Sequence, residues 1–182
     1  MQSNYGDSYK AVSGGSVNWY KKYHIKFWNG GFIKNDEEYS FATDTFNNLN
    51  YSLALFSQNE AGGIGQSYST NIRIMKCSIS LNNVTVANFI PCIRKADSKP
   101  GMYNLVNGDF LTNIGTGEFK AGSYIKSLPV GYAALDYIQA TGTQYFLTGV
   151  IFNNTLHVED SCMYMESYTA SSGVDGGGYW GL

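Results

Sequence analysis

One segment restricts the fold more than any other: Asn71 to Leu81, the dipeptide Asn82-Asn83, then Val84 to Pro91. Two runs rich in β-branched and apolar residues flank a pair of asparagines, and asparagine accepts the left-handed backbone that a two-residue hairpin turn demands. A long antiparallel hairpin is therefore predicted. Elsewhere the period is also two. Tyr23, Ile25 and Phe27 alternate with His24, Lys26 and Trp28, Asn29-Gly30-Gly31 offers a tight turn, and a return strand runs through Phe32 and Ile33. A third strand is expected around Tyr39 to Ala42, and Tyr51 to Phe56 reads as a strand buried between two sheets. No window sustains the 3, 4, 7 spacing of an amphipathic helix.

Composition agrees. Fifteen Tyr and 10 Phe suit strands, and 21 Gly suit turns. The chain's 182 residues are enough for one domain with a real core. Residues 1 to 18 read as a loop or irregular edge strand, and Asn59 to Gly65 as a flexible loop. Lys99-Pro100-Gly101 carries turn chemistry. Tyr132 to Tyr137 is expected to make one helical turn. Gln144 to Phe152 and Thr155 to Tyr168 then read as long strands joined at Asn153-Asn154, with a bulge near Asp160-Ser161 that keeps Cys162, Tyr164 and Glu166 in register.

Formal net charge is −2 and charged residues make up 14% of the chain, against roughly a quarter in ordinary globular proteins. The densest basic clusters, Lys21 and Lys22 with Lys26 and Arg94 with Lys95 and Lys99, are expected to decorate solvent-facing strands or a turn, and no nucleic-acid partner is expected. MQSNYGDSYK carries no signal-peptide pattern, and no apolar run is long enough to span a membrane as a helix. Cys77, Cys92 and Cys162 match no metal or redox spacing, and free thiols are expected. His24 and His157 lie in separate alternating segments and are expected to be core or surface residues.

Two stretches carry a resemblance. Phe89 to Phe119 reads FIPCIRKADSKPGMYNLVNGDFLTNIGTGEF, and Leu128 to Gly149 reads LPVGYAALDYIQATGTQYFLTG. They resemble the closing and opening segments of concanavalin A-like, laminin G-like sandwich domains of phage virion proteins and gut-bacterial surface proteins. That resemblance implies an all-β, antiparallel jelly-roll β-sandwich. Here the closing segment precedes the opening one, so residues 1–126 correspond to the C-terminal part of a sandwich and 127–182 to its N-terminal opening strands. Three arrangements fit this order: a circular permutant, strands swapped between neighbouring subunits, and a piece of a tandem array. The first two are favoured, because a sandwich lacking its opening strands would expose an apolar face and unpaired edges.

Within the resembled architecture an enzyme is the first function to test. A retaining glycosidase needs two carboxylates about 5–5.5 Å apart, which on one strand means acidic residues at i and i+2 or i+4. Asp36-Glu37-Glu38, Glu159-Asp160 and the isolated acids do not supply them. Asp44, Asn47 and Asn48, or Asp7 or Asp175, could offer oxygens to calcium, but their spacing is not diagnostic. Neither enzyme activity, cofactor nor metal is expected. Sugar sites use aromatic faces beside polar groups, and Trp19, Tyr20, Trp28, Tyr179 and Trp180 fit that description best, with core packing the competing reading of Trp28 and Trp180. The expectation is a structural or adhesive protein at a virion surface, as head fibre, capsid decoration or tail-fibre module. Its expected partners are its own copies, other virion proteins and host or mucosal glycans. The alternative is a carbohydrate-binding module of a bacterial surface or secreted protein.

Overall fold

The computed structural model describes residues 2–5, 8–11, 20–40, 51–60, 63–68, 71–129, 131–152, 161–169 and 180–181. Among them the chain is all-β and its sheets are antiparallel. The strands are β1 (Gln2–Tyr5), β2 (Ser8–Ala11), β3 (Lys22–Trp28), β4 (Gly31–Lys34), β5 (Glu37–Ser40), β6 (Tyr51–Leu55), β7 (Ser57–Glu60), β8 (Gly63–Tyr68), β9 (Ile72–Leu81) and β10 (Val84–Arg94). They continue with β11 (Lys99–Asn104), β12 (Phe110–Leu111), β13 (Lys120–Ala121), β14 (Tyr124–Ser127), β15 (Tyr132–Leu135), β16 (Ile138–Gln139), β17 (Phe146–Phe152), β18 (Ser161–Thr169) and β19 (Trp180–Gly181).

The predicted hairpin is β9–β10. Asn82 and Asn83 both take positive φ, 47° and 63°, the backbone that a two-residue turn of matching twist requires. Gly30, at φ 100°, closes the β3–β4 turn in the same way. The hairpin seeds the large sheet, whose main path runs β12-β11-β10-β9-β18-β3-β4-β5. Strand β18 lies between β9 and β3, so Cys162 faces Ser80 on one side and Trp28 on the other, and Tyr168 faces Arg73 and Lys22. The far end of the hairpin forks, and the segment 132–139 fills the fork. There β15 pairs with β10 and β16 with β9.

A smaller sheet, β17-β6-β19, lies apart from this path. Its Leu53, Leu55 and Phe146 join one core cluster with Tyr23, Ile25 and Phe27 of β3, Ile72, Ile74, Cys77 and Ile79 of β9, Phe89 of β10, and Met163 and Met165 of β18. Sharing one core between two sheets is consistent with a β-sandwich. At its centre Phe119 stacks on Phe146 at 4.4 Å between ring centroids, with Phe56 at 5.1 Å from Phe119. Phe56 holds φ 67°, uncommon for a bulky residue, and is fully buried. Its position at the β6–β7 junction combines a sharp change of direction with an inward aromatic ring.

Several expectations change. Tyr132 to Tyr137 does not form a helical turn: Tyr132–Leu135 is a strand bonded to both β10 and β14. Two neighbouring ladders override the helical preference of an Ala-Ala-Leu run. The loop expected at Asn59 to Gly65 includes the ends of the hairpin β7–β8, with Glu60 opposite Gly63 and residues 61–62 outside the described set. The turn expected at Lys99-Pro100-Gly101 lies earlier, over Lys95 to Ser98, and Lys99 already belongs to β11. The Asp97 carboxylate draws it there by accepting from both Arg94 and the Lys99 backbone N–H. Within residues 1–18, β1 and β2 pair with each other. The third strand is placed at Glu37–Ser40; Ala42 lies outside the described residues, as do Asn153-Asn154 and Asp160. The register irregularity that β18 does show against β9 falls between Glu166 and Ser167. Cys77, Cys92 and Cys162 are free thiols, the first two buried.

Candidate functional site

Two regions concentrate polar side chains. In the first, the segments containing NIGTG and TGTQ lock together. The Asn113 side-chain oxygen accepts from the Gly115 and Tyr145 backbone N–H groups at 3.0 and 3.2 Å, and its amide donates to the Gly115 and Gly117 carbonyls. Buried Gln144 accepts from the N–H groups of Thr141 and Gly142, each at 2.8 Å. Thr143 donates its hydroxyl to the Thr116 carbonyl at 3.1 Å, and the two threonine hydroxyls also meet. A Cβ at Gly115 would run into the Thr143 carbonyl, so close approach requires glycine there. Tyr132 adds a further contact, its ring 5.0 Å from Tyr103 and 5.2 Å from Phe110.

Beside this lock is a cleft of about 510 Å³ lined by Arg94, Lys99, Thr112, Asn113 and Glu118, among others. Two of its polar groups are already engaged. Asn113 serves the loops, and Arg94 forks onto Asp97 through contacts of 3.0 and 2.6 Å while lying 5.0 Å over the Phe110 ring. The Arg94 hydrogen bonds bring the Asp97 carboxyl down to about 2.

The second region is the solvent face of β9, β18 and β3. Alternation buries Tyr23, Ile25, Phe27, Met163, Met165, Ile72, Ile74, Cys77 and Ile79, so their strand neighbours point outward. Register arranges those neighbours in rows: Gln139, Arg73, Tyr168, Lys22; then Lys76, Glu166, His24; then Ser78, Tyr164, Lys26; then Ser80, Cys162, Trp28. The Arg73 guanidinium lies 4.2 Å over the Tyr137 ring and 5.2 Å over that of Tyr168, and it donates to Gln139 at 2.8 Å. Lys76 lies 5.8 Å over the Tyr164 ring. Tyr164 donates its O–H to Glu166 at 3.2 Å and lies 2.7 Å from His24 Nδ1, while Glu166 meets Lys22 at 2.8 Å. Burial alone would raise the Glu166 carboxyl, but Lys22 and Tyr164 outweigh it and hold the group below its ordinary value. Burial, together with Glu166, raises the Tyr164 phenol.

Of the five aromatic residues expected from sequence, two have described side chains. Tyr20 is 64% exposed, with φ 61°, and donates its backbone N–H to Thr169 at the Tyr168 end of the face. Trp28 is half-buried at the other end, its ring lying over Gly31. Six strand steps separate Lys22 from Trp28, about 20 Å, so Tyr20 and Trp28 do not form one site. Trp180 places its backbone opposite Leu55 in the smaller sheet; its side chain, and all of Trp19 and Tyr179, lie outside the described residues.

The sequence reading missed Arg73, Lys76, Tyr137 and Tyr168. The signal was parity: Arg73 alternates with Ile72 and Ile74, and Tyr168 shares the register of Tyr164 and Glu166. Among the described residues, no group of three or more His, Cys, Asp and Glu could hold a metal ion. Fold and site thus define a class, an all-β antiparallel protein with a polar, aromatic sheet face. No protein-family model matches the chain, and no curated protein or solved structure matches it.

Proposed function

We propose that this chain is a non-enzymatic structural and adhesive protein of a bacteriophage virion surface that contacts glycans. Its fold in this reading is a concanavalin A-like jelly-roll sandwich in circularly permuted order. The observation that carries the reading is the lock between the two family-like segments. Residues 89–119 and 128–149 meet at Asn113 and Tyr145, at Thr116 and Thr143, and at Tyr132 with Tyr103 and Phe110, and β15 pairs with β10. Closing and opening segments of one sandwich need such contacts whichever comes first in the chain, because natural termini of compact domains lie close together.

Self-association finds support at β14, which among the described residues pairs with β15 alone and on which Tyr124 and Ile125 are 60% and 58% exposed. An apolar unpaired edge favours pairing with another chain. Glycan contact finds support in the outward tyrosines of β18, which combine ring faces with polar neighbours.

Immunogold labelling of gradient-purified phage particles, with mass spectrometry of their proteins, tests the role. Surface label on particles, together with peptides from this chain, is the expected result. A chain absent from particles and recovered only from bacterial envelopes or supernatant would overturn it.

A further inference from the structure

The outer face of β9, β18 and β3 carries more positive charge than the whole protein would suggest. Formal net charge of the chain is −2, yet Lys22, Lys26, Arg73 and Lys76 project from this one face, where Glu166 is the carboxylate within the rows. Glu38 lies on the same side but two strands out from Lys26, beyond Ile33. Lys22 answers Glu166 at 2.8 Å. Among the described residues no carboxylate pairs with Lys26 or Lys76. Lys26 is exposed, and the Lys76 ammonium lies over the Tyr164 ring. Arg73 lies over the rings of both Tyr137 and Tyr168, which fixes the guanidinium plane, and among the described residues no carboxylate pairs with it. The sequence hides this concentration because the four cations come from segments about 50 positions apart.

From this charge complementarity we infer that the face binds an anionic polysaccharide, a uronate- or sialate-bearing chain lying across β9, β18 and β3. Three features favour that occupant. The cations stand on β9 and β3 with β18 between them, about 10 Å apart across the face and about 7 Å apart for Arg73 and Lys76 in successive rows of β9, and the groups beside them are hydroxyl and imidazole: Ser78, Ser80, Tyr164 and His24. Such groups recognise sugar hydroxyls, and tyrosine rings pack on pyranose faces. Single-stranded nucleic acid, the other polyanion that uses aromatic and basic sheet faces, presents one phosphate per nucleotide and draws on denser positive charge.

This inference rests on the glycan-contact reading above and narrows it to a charge class and a surface. Binding to polygalacturonate, neutral dextran and oligo(dT) would be measured by isothermal titration at 20 mM and 200 mM salt, for the wild-type chain and for K26Q/K76Q. Among the described residues neither lysine has a carboxylate partner, so the double variant should keep the wild-type circular dichroism and melt close to wild type. Two exposed ion pairs of ordinary strength amount together to about ten-fold in affinity. Polygalacturonate binding should therefore weaken about ten-fold in the variant and fall with salt in the wild type, with dextran unbound. E166Q should bind more tightly than wild type. Dextran bound as well as polygalacturonate, with K26Q/K76Q unchanged, would overturn the charge inference but keep glycan contact. Absence of binding to either polysaccharide would overturn both, and preference for oligo(dT) would replace the occupant.

Discussion

The loop lock and the sheet face use similar residues in opposite ways. At the lock, Asn113 and Gln144 direct their amides at backbone groups of their own chain, each satisfying several at once. On the sheet face, hydroxyls, cations and rings touch one another laterally and remain open to solvent on one side. Polar groups turned inward determine shape, and polar groups turned outward are available to a partner. The difference predicts where substitutions should damage stability and where they should leave it intact.

The largest effect belongs to Gly115. A side chain there meets the Thr143 carbonyl, part of the backbone rather than the movable end of a side chain. G115V should cost about 3 kcal/mol, the upper range for overpacking a tight site, read as a lower urea midpoint with unchanged slope. Wild-type stability would show that the two loops do not lie as close as the lock requires. Asn113 should come next. N113A removes acceptors from the Gly115 and Tyr145 N–H groups and donors from two carbonyls, and losing several part-buried hydrogen bonds at once should cost about 1–2 kcal/mol. N113D would separate the contributions, since it keeps the acceptors and loses the donors.

On the sheet face K26Q/K76Q should change stability by at most about 1 kcal/mol, since Lys26 is exposed and Lys76 loses only its contact over the Tyr164 ring. K22M breaks the Lys22–Glu166 ion pair of the face, where the two side chains are 49% and 24% exposed, and should cost at most about 1 kcal/mol. Urea unfolding of both variants measures this. A loss as large as that of N113A would mean that the face is structural, erasing the contrast between the regions.

The two regions were unequally legible in the sequence. Alternation in Tyr23 to Trp28 and the Asn82-Asn83 turn specify strands through local geometry, so β3, β9 and β10 lie close to where the pattern puts them. The fork between β9 and β10 was not legible, because Tyr132–Leu135 is extended only by virtue of strands distant in sequence. The lock was visible as the motifs NIGTG and TGTQ without their meaning, since two glycine-rich turns look alike whether they face water or each other. The sheet face was visible least. Arg73, Tyr168 and Lys22 become neighbours only because β18 enters between β9 and β3, and nothing within any one strand specifies that insertion.

The smallest predicted effect separates the two ion pairs that stand in the two regions. Arg94 holds Asp97 through two parallel contacts at the edge of the cleft, whereas Lys22 holds Glu166 through one on the sheet face. Hydrogen bonding from Arg94 leads the lowering of the Asp97 carboxyl, from an ordinary 3.8 to about 2. A carboxyl lowered in the folded state contributes stability that is fully present above its unfolded value and lost as pH falls through its folded value. The Asp97 contribution should therefore be present above about pH 4, decline between about 4 and 2, and be gone only below about 2. Compared with wild type, D97N should melt slightly lower at pH 6 and at the same temperature near pH 2. Carbon-13 shifts of the side-chain carboxyls would follow both groups directly, with Asp97 titrating near 2 and Glu166 below its ordinary 4.5. Asp97 titrating at 3.8, with D97N melting like wild type at every pH, would show that the Arg94 fork does not persist in solution and that the cleft has a free guanidinium after all.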